Sequence, residues 1–311
     1  MSDTIEKLNR VENELNRIIR GKPEVIRHLL TAFVAGGNVL LDDVPGVGKT
    51  TLAKALARLV DADFRRVQFT PDLLPADIIG TNIYSPKEGS FQFRPGPVFT
   101  NILLADEINR ASPRTQSALL ECMCEHQVSS DGKSRPLEAP FMVIATQNPI
   151  EFQGTYPLPE AQLDRFAMRL SLGYPEPEAE AEMLADRRSG DPAATLTPIL
   201  NCSEILELNR QMTRIGIEES VSAYLLEIIR ATRRDPRLTL GASPRAALLL
   251  ADAARAAALL AGRDYVLPDE VRSLAMVVLP HRLVTDAKSR YSGVTSAQIL
   301  QEIIQTVKIP R

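Results

Sequence analysis

Asp43-Val-Pro-Gly-Val-Gly-Lys-Thr50 is the stretch of sequence that decides the fold of this chain. It has the pattern of a phosphate-binding loop, in which glycines let the backbone approach phosphate, a lysine reaches the β and γ oxygens, and a hydroxyl ligates magnesium. The loop therefore predicts a bound nucleoside triphosphate with Mg²⁺, and Thr50 is a predicted metal ligand. The loop residues predicted to hold the nucleotide are Pro45, Gly46, Val47, Gly48, Lys49, Thr50 and Thr51.

The first position of the pattern departs from the usual glycine, because Asp43 stands there. Its context offsets the departure, since the strand-like run Asn38–Asp42 precedes the loop and a helix predicted from about Gly48 to Val60 follows it. Further strand-like runs alternate with helical patterns, which predicts an α/β fold with a parallel five-stranded sheet covered on both faces. The other four strands are predicted at Phe64–Phe69, Ile102–Ala105, Phe141–Ala145 and Ala167–Leu172.

The sequence changes character after the proline-containing segment 173–177, where we place a domain boundary. Residues 1–173 are predicted to form a nucleotide-binding domain that begins with two helices, and residues 174–311 a smaller all-α domain. Only helical patterns follow Glu178. They lie at about 178–188, 203–214, 220–234, 244–261, 268–279 and 295–306.

Two segments interrupt the α/β pattern and are predicted to form inserted β-hairpins. Residues Asn82–Val98 contain the turn-like Pro86–Gly89, and Gln127–Pro140 centres on the turn-like Ser130–Lys133. The hairpins are either surface decoration or contacts for a substrate or partner, because loops on a rigid scaffold often carry such contacts.

Composition argues against several classes of protein. A formal net charge of −3 and a pI near 5.8 argue against a protein built mainly to coat nucleic acid. The most apolar stretch, Ala246–Ala261, is interrupted by Asp252 and Arg255, so we expect a buried helix and no membrane span. Three irregularly spaced cysteines predict neither a disulfide framework nor a zinc site, and a reducing cytoplasm is the simplest setting.

Polar residues end two of the predicted strands. After the run that starts at Ile102, Asp106 is expected to hold the magnesium shell and Glu107 to orient and deprotonate an attacking water. The alternative is that both acids cap the helical stretch that follows. Asn148 can reach the γ-phosphate or the water, or it can serve as a turn residue before proline. Because Pro149-Ile-Glu follows instead of a guanine-binding Asn-Lys-x-Asp pattern, ATP is favoured over GTP.

Six strings, taken in order, resemble the AAA+ ATPases, and more closely the MoxR family. They are Asp42-Asp-Val-Pro-Gly-Val-Gly-Lys-Thr-Thr51, Gln68-Phe-Thr-Pro-Asp-Leu-Leu-Pro75, Ala105-Asp-Glu-Ile-Asn-Arg-Ala111, Ala145-Thr-Gln-Asn-Pro149, Gly154-Thr-Tyr-Pro-Leu-Pro-Glu-Ala-Gln-Leu-Asp-Arg-Phe166 and Gly241-Ala-Ser-Pro-Arg-Ala246. They span nearly the whole chain, so the resemblance is far more specific than any one motif. It implies an AAA+ core followed by a helical lid domain.

The resemblance also implies roles for single residues. Asp106 and Glu107 would be the Walker B acids, and Asn148 would be sensor 1. Two arginines gain roles as well, although each, taken alone, is more simply interpreted as an ordinary surface salt-bridge residue. Arg245 would be sensor 2, and Arg165 the arginine finger that reaches the γ-phosphate of a neighbouring subunit.

Further positions follow from the same resemblance. Gly21, next to Arg20, would lie near the adenine. The hairpins around Phe91 and Gly132 would be the helix-2 insert and the pre-sensor 1 hairpin, which face the central pore in relatives. An aspartate in place of the first glycine is frequent in this group, so Asp43 is no sign of inactivity.

The resemblance implies a homo-oligomeric ring, a hexamer, that hydrolyses Mg-ATP between subunits. Such a ring would remodel or activate a client protein. Proteins with a von Willebrand A domain are among the clients that the resemblance implies. Two alternatives stay open. A DNA-dependent or chelatase-type motor is disfavoured by the acidic balance and the modest basicity of the hairpins, so no nucleic-acid partner is expected. A nucleotide-gated scaffold without turnover is disfavoured by the presence of both Glu107 and Arg165.

Overall fold

A five-stranded parallel sheet lies at the centre of the fold in a computed structural model that describes residues 2–148, 155–180 and 195–310. The strands are β1 (Val39–Asp42), β2 (Phe64–Gln68), β3 (Gly80–Ser85), β4 (Ser90–Pro95), β5 (Ile102–Asp106), β6 (Gln127–Ser130), β7 (Lys133–Pro136), β8 (Met142–Gln147), β9 (Met168–Leu170), β10 (Leu238–Leu240) and β11 (Val284–Thr285). The order β2-β5-β8-β1-β9 makes up the parallel sheet. The predicted fold class is confirmed.

Helices cover both faces of this sheet and form most of the second half of the chain. They are α1 (Ser2–Ile18), α2 (Pro23–Val34), α3 (Lys49–Leu59), α4 (Pro75–Ile79), α5 (Pro113–Glu125), α6 (Glu160–Leu163), α7 (Cys202–Met212), α8 (Glu219–Arg234), α9 (Pro244–Leu260), α10 (Pro268–Val278), α11 (Ala287–Tyr291) and α12 (Ser296–Thr306). Among the described residues, none of the helices has the length and apolar character that a membrane crossing needs.

The sheet separates two hydrophobic cores because successive strand residues point to opposite faces. In β5, Ile102 and Leu104 enter one core, whereas Leu103 and Ala105 enter the other. The first core also contains buried residues of α1, α2 and α3, and the second contains residues of α4 and α5. Burial on both faces explains why the three inner strands, β1, β5 and β8, are apolar almost throughout.

The C-terminal helices share the first core, so the lid packs firmly against the α/β domain. Helix α9 lies against α1, α2 and α7. Its buried alanines, such as Ala254 and Ala258, let neighbouring helices approach closely, and Leu250 fills the space between them. The proposed boundary between residues 173 and 174 stays a prediction.

The prediction of a helical lid is confirmed, but the expectation of helices alone after Glu178 is wrong in one detail. Strands β10 and β11 form an antiparallel ribbon. With three and two residues, they are too short to show an alternating pattern in the sequence. The helix expected at 178–188 falls mainly on residues outside the described ranges.

The two predicted hairpins are present, as β3–β4 and β6–β7. They contact each other, because the Arg135 guanidinium lies 3.7 Å from the centre of the Phe93 ring and Asn82 donates a hydrogen bond to Asp131. The guanidinium–ring contact adds a cation–π attraction to the packing. The hairpins therefore form one continuous surface.

A buried arginine joins the lid to the edge of the sheet. Nε of Arg282 donates to Asp164 at 2.9 Å, and its guanidinium also bonds to the carbonyl oxygens of Phe166 and Ala167. Burial lowers the pKa of Arg282 to about 10, so the group keeps its charge at neutral pH. Nη1 of Arg282 lies 2.7 Å from Nε2 of His281. Nε2 of His281 also lies 3.1 Å from the carbonyl oxygen of Phe166, and burial beside the Arg282 charge favours the uncharged imidazole.

His281 should make the free energy of unfolding depend on pH. Burial, and next the charge of Arg282, lower the pKa of His281 well below its ordinary value of 6.5. The unfolded chain therefore binds this proton at a higher pH than the folded chain does. The stabilising contribution is fully present above about pH 6.5 and is lost as the pH falls through and below that value.

We expect the His281→Gln variant to have a smaller slope of unfolding free energy against pH below about pH 6.5, by up to about 1.4 kcal/mol per pH unit. Urea unfolding at several pH values measures this slope. His126→Asn is the matched control, because His126 is exposed and asparagine tolerates its left-handed backbone. Equal slopes for wild type and His281→Gln would contradict the prediction.

Candidate functional site

The phosphate-binding loop connects the carboxyl end of β1 to the first turn of α3. Gly46 and Gly48 have φ angles of +89° and +98°, a backbone region that glycine enters at no steric cost. Gly48 is the N-cap of α3, which begins at Lys49. The unpaired N–H groups of the first helical turn therefore face the loop, and together with the helix dipole they favour an anion there.

The ammonium group of Lys49 contacts the first residue of the loop. Its Nζ donates to the carbonyl oxygen of Asp43 at 2.7 Å, and the side chain is largely buried. Burial lowers the pKa of Lys49, while the carboxylates of Asp43, Asp106 and Glu107 act in the opposite direction. The lysine charge thus lies among several acids, and a bound anion would complete its surroundings.

Thr146, which sequence analysis did not single out, joins the two acids at the end of β5. Its hydroxyl donates to Oδ1 of Asp106 at 2.6 Å and accepts the backbone N–H of Glu107 at 2.8 Å. The other oxygen of Asp106, Oδ2, accepts Nη2 of Arg66 at 2.6 Å and Nε at 3.1 Å. These bonds fix the direction in which the Asp106 carboxylate points.

Glu107 has a left-handed backbone, with φ of 57° and ψ of 51°. Such a conformation costs about 1–3 kcal/mol in a non-glycine residue and is common at functional sites. Oε2 of Glu107 accepts Nε2 of Gln68 at 2.7 Å and Nη1 of Arg110 at 2.9 Å. The carboxylate is therefore oriented by two side chains that lie within the strings quoted above, although no pattern indicated their role.

Asn148 directly follows β8 and is buried. The neighbouring residue Gln147 accepts the backbone N–H of Asp43 at 3.2 Å. The predicted sensor position therefore lies beside the start of the phosphate-binding loop, at the same edge of the sheet as Asp106.

The oxygen ligands at this edge suit magnesium. Asp106 offers a carboxylate and Thr50 a hydroxyl, and Mg²⁺ commonly takes one or two carboxylates, with water and substrate phosphates as its other ligands. In the described part of the chain, no group of three or more His, Cys, Asp or Glu side chains could hold a metal ion by itself. These residues fit a metal that is completed by phosphate.

A cavity of about 270 Å³ opens beside the loop. Its lining comprises Ile18, Ile19, Arg20, Lys22, Pro45, Gly46, Val47, Gly48, Thr51, Gly173, Tyr174, Pro175 and Glu180. Gly21 lies between two lining residues but does not line the cavity itself. The largely apolar wall next to the phosphate loop fits the base of a nucleotide.

The two predicted arginines lie elsewhere, and both contact the second half of α5. Nη1 of Arg165 donates to the carbonyl oxygen of Leu120 at 2.6 Å, and Nη2 of Arg245 lies 3.4 Å from Sγ of Cys124. Ala167 donates to the carbonyl oxygen of Asn38, just before β1 begins. Arg165 is thus near the amino end of β1, roughly 16 Å of strand away from the loop at its carboxyl end.

Comparison with known proteins identifies the family. The model for the ATPase family associated with various cellular activities (AAA) matches residues 38–168, and the AAA lid domain model matches residues 230–303. The chain is 42% identical to Chaperone MoxR1 of Mycobacterium tuberculosis, over 99% of this chain and 83% of that protein. This chain belongs to the MoxR family of AAA+ ATPases. The Protein MoxR of Methylorubrum extorquens is 31% identical over 99% of this chain and 95% of its own length.

Two further relatives of this MoxR-family chain are similar to it over nearly its whole length. The uncharacterized protein YeaC of Bacillus subtilis is 46% identical, over 97% of this chain and 95% of that protein. A crystal structure from Cytophaga hutchinsonii, described as a candidate ATPase, superposes with a TM-score of 0.92 at 39% identity and covers 99% of this chain and 96% of that one.

Replacing Thr146 by valine should destabilise the MoxR-family site. Valine keeps the shape of the side chain but leaves Oδ1 of Asp106 and the N–H of Glu107 without their partner in a buried place. We expect the free energy of unfolding to fall by about 2 kcal/mol, and ATPase activity to fall with it. Urea unfolding and phosphate release measure the two effects.

Thr146→Ser is the matched control, because serine retains the hydroxyl. It should remain within about 1 kcal/mol of wild type. A Thr146→Val variant as stable and as active as Thr146→Ser would show that the hydroxyl does not organise the two acids.

Proposed function

We propose that this MoxR-family protein hydrolyses Mg-ATP between the subunits of a homo-oligomeric ring, a hexamer, and uses the hydrolysis to remodel or activate client proteins. The observation that carries this proposal is the separation of two sets of groups. Lys49, Asp106 and Glu107 converge at the phosphate-binding loop, whereas Arg165 and Arg245 both contact α5 away from that loop.

In the first half of the site, the chain binds the nucleotide and positions water. The loop backbone and Lys49 hold the phosphates, and Thr50 and Asp106 hold Mg²⁺, which supplies charge neutralisation on the phosphate oxygens. Glu107 accepts the proton of the attacking water, and Asn148 orients that water or the γ-phosphate. The cavity beside Arg20 and Tyr174 takes the adenine.

The second half of the site comes from the next subunit. An arginine side chain extends roughly 7 Å from its Cα, so Arg165 cannot span the length of β1 to its own loop. Arg245 shares the same surface of α5 and would enter the neighbouring site together with Arg165. Since an arginine finger contributes about a thousand-fold or more to turnover, the isolated chain should be a poor ATPase.

Hydrolysis would cause a conformational change that extends to the lid and the hairpins. Arg245 is at the N-terminal end of α9, and Ser243 lies beside Asp164, the partner of Arg282 at the lid junction. A change in how Arg245 contacts phosphate would therefore act on that junction and rotate the lid. On the hairpin surface, the exposed rings of Tyr84 and Phe91 stack edge to face and offer an apolar contact to a client.

Mixed rings test whether the arginines act across subunits. Arg245→Ala protomers are mixed with Lys49→Ala protomers, and the same is done with Arg165→Ala. If each arginine completes a neighbour's site, some interfaces in the mixture are fully wild type, so phosphate release should exceed that of both parents at least about tenfold. If an arginine acts within its own chain, no complete site forms in any mixture.

Lys49→Ala mixed with Glu107→Gln is the matched control, because both substitutions damage the same half of the site and should not complement. Assembly of every mixture is verified by light scattering. Assembled mixtures of Arg165→Ala and Lys49→Ala without recovered activity would exclude the shared site.

A single substitution separates turnover from a nucleotide-gated scaffold. Glu107→Gln should keep ATP affinity while phosphate release by the assembled protein falls about a hundred-fold or more, because the general base is lost. Glu219→Gln, on an exposed lid position, is the control and should release phosphate like wild type. Equally slow release from wild type and Glu107→Gln would favour the scaffold.

The client is proposed to be a protein, with a von Willebrand A domain as one possible partner, and not a nucleic acid. The net charge of the chain is −3, the hairpins carry only a few basic side chains, and one of these, Arg135, is engaged with Phe93, which argues against a nucleic-acid partner. Cys122, Cys124 and Cys202 are free thiols, which agrees with the reducing cytoplasm that we propose as the setting.

A further inference from the structure

Asp43, which replaces the first glycine of the phosphate-binding pattern, has a buried carboxylate with three hydrogen-bond donors. Oδ1 accepts the Ser171 hydroxyl at 2.7 Å and the Gly173 N–H at 2.9 Å, and Oδ2 accepts the Leu172 N–H at 2.7 Å. Only 4% of the residue is exposed. A carboxylate with this many bonds to consecutive residues holds that segment in one position.

The bonded segment, Ser171–Gly173, is where the chain leaves the sheet, and we call it the exit segment. It follows β9 directly, and Gly173 has a φ of +60° that favours glycine. Gly173 and the next residue, Tyr174, line the cavity beside the loop. The carbonyl oxygen of Tyr174 also accepts Nζ of Lys22 at 2.8 Å, so the end of the exit segment and the residue that follows it form one wall of the proposed base pocket.

The backbone of Asp43, unlike its side chain, contacts the phosphate-binding lysine and the end of β8. Its carbonyl oxygen accepts Nζ of Lys49, and its N–H donates to Gln147, the last residue of β8. One residue therefore connects the phosphate-binding lysine, the strand that precedes Asn148 and the exit segment. A glycine at this position could make the backbone contacts but not the three bonds to the exit segment.

We propose that Asp43 is a positioning residue that couples the phosphate-binding loop to the exit segment, so that phosphate at Lys49 changes the wall of the base pocket and the path toward the lid. A phosphate competes with the Asp43 carbonyl oxygen for the lysine ammonium, and any shift of Asp43 is passed directly to its three donors. This inference rests on the proposed nucleotide site and adds a function for the departure from the usual glycine.

Asp43→Asn is the sharpest variant, because asparagine is nearly isosteric but has one acceptor oxygen and turns an NH₂ group toward an N–H donor. Bonds to a charged acceptor are stronger than neutral ones, so their loss should open the exit segment locally. Hydrogen exchange of the full chain, in peptides that cover Leu172 and Gly173, measures this opening with and without ADP.

Without nucleotide, we expect these amides to exchange about tenfold or more faster in Asp43→Asn than in wild type. In wild type, ADP should change their exchange, and in the variant this response should be lost. ADP affinity, measured by calorimetry, should fall about tenfold, since the pocket wall is no longer held.

Asp42→Asn is the matched control, because Asp42 is the adjacent acid and contacts Arg169 of β9 instead of the exit segment. It should keep the exchange and ADP response of wild type. Ser171→Ala removes one donor only and should give an intermediate increase in exchange, which keeps the test decisive if Asp43→Asn folds poorly.

The outcomes separate two failures. If wild type binds ADP but Asp43→Asn and Ser171→Ala leave exchange, response and affinity unchanged, the coupling by Asp43 is overturned. Equal effects of Asp42→Asn and Asp43→Asn would overturn it too, because they would reflect general loosening of the loop. If wild type itself binds no adenine nucleotide, the proposed function fails, whatever the exchange rates show.

Discussion

The parallel register of β5, β8 and β1 is the constraint on which the site depends. Leu104 pairs with Ile144, and Leu41 pairs with Thr146, so the three strands end at one edge of the sheet. That register places the Thr146 hydroxyl between the carboxylate of Asp106 and the N–H of Glu107. A shift of one residue would turn each of these side chains to the opposite face, where a hydrophobic core lies. The pairing between these three strands therefore fixes which side chains meet at their ends.

The same topology explains why the arginines are separated from the loop. A strand whose carboxyl end lies near the loop begins at the opposite edge of the sheet. Arg165 lies a short distance before the start of such a strand, β9 (Met168–Leu170). Helix α5 starts near Asp106 and runs back toward that opposite edge, so Leu120 and Cys124 meet both arginines there. Asp164, Arg282 and the shared apolar core fix the lid to this edge. The proposed supply of these arginines to a neighbouring subunit would use a surface that the fold directs away from its own phosphate site.

Much of this arrangement could be predicted from sequence, because local patterns specify it. The loop between a strand and a helix, the acids at the end of β5 and the two hairpins each depend on residues that are close in the chain. The contacts of Thr146, Arg66 and Gln68 could not be predicted, since each joins segments about 40 residues apart and depends on the register between strands. Ribbon β10–β11 was missed because such short strands have no visible period. The partners of Asp43 lie still farther away, at residues 171–173.

Each charged side chain of the site makes a hydrogen bond within the protein that would compete with a bond to the nucleotide, the metal or the water. Lys49 binds the carbonyl oxygen of Asp43, Asp106 binds Arg66, and Glu107 binds Gln68 and Arg110. A ligand that replaces these bonds gives up part of its net affinity, and several segments then respond to its binding at once. Because these partners lie on β2, the loop and the turn after β5, a single exchange reaches most of the carboxyl edge of the sheet. An AAA+ site built in this way can turn the presence of one phosphate into a change that extends to the exit segment and the lid.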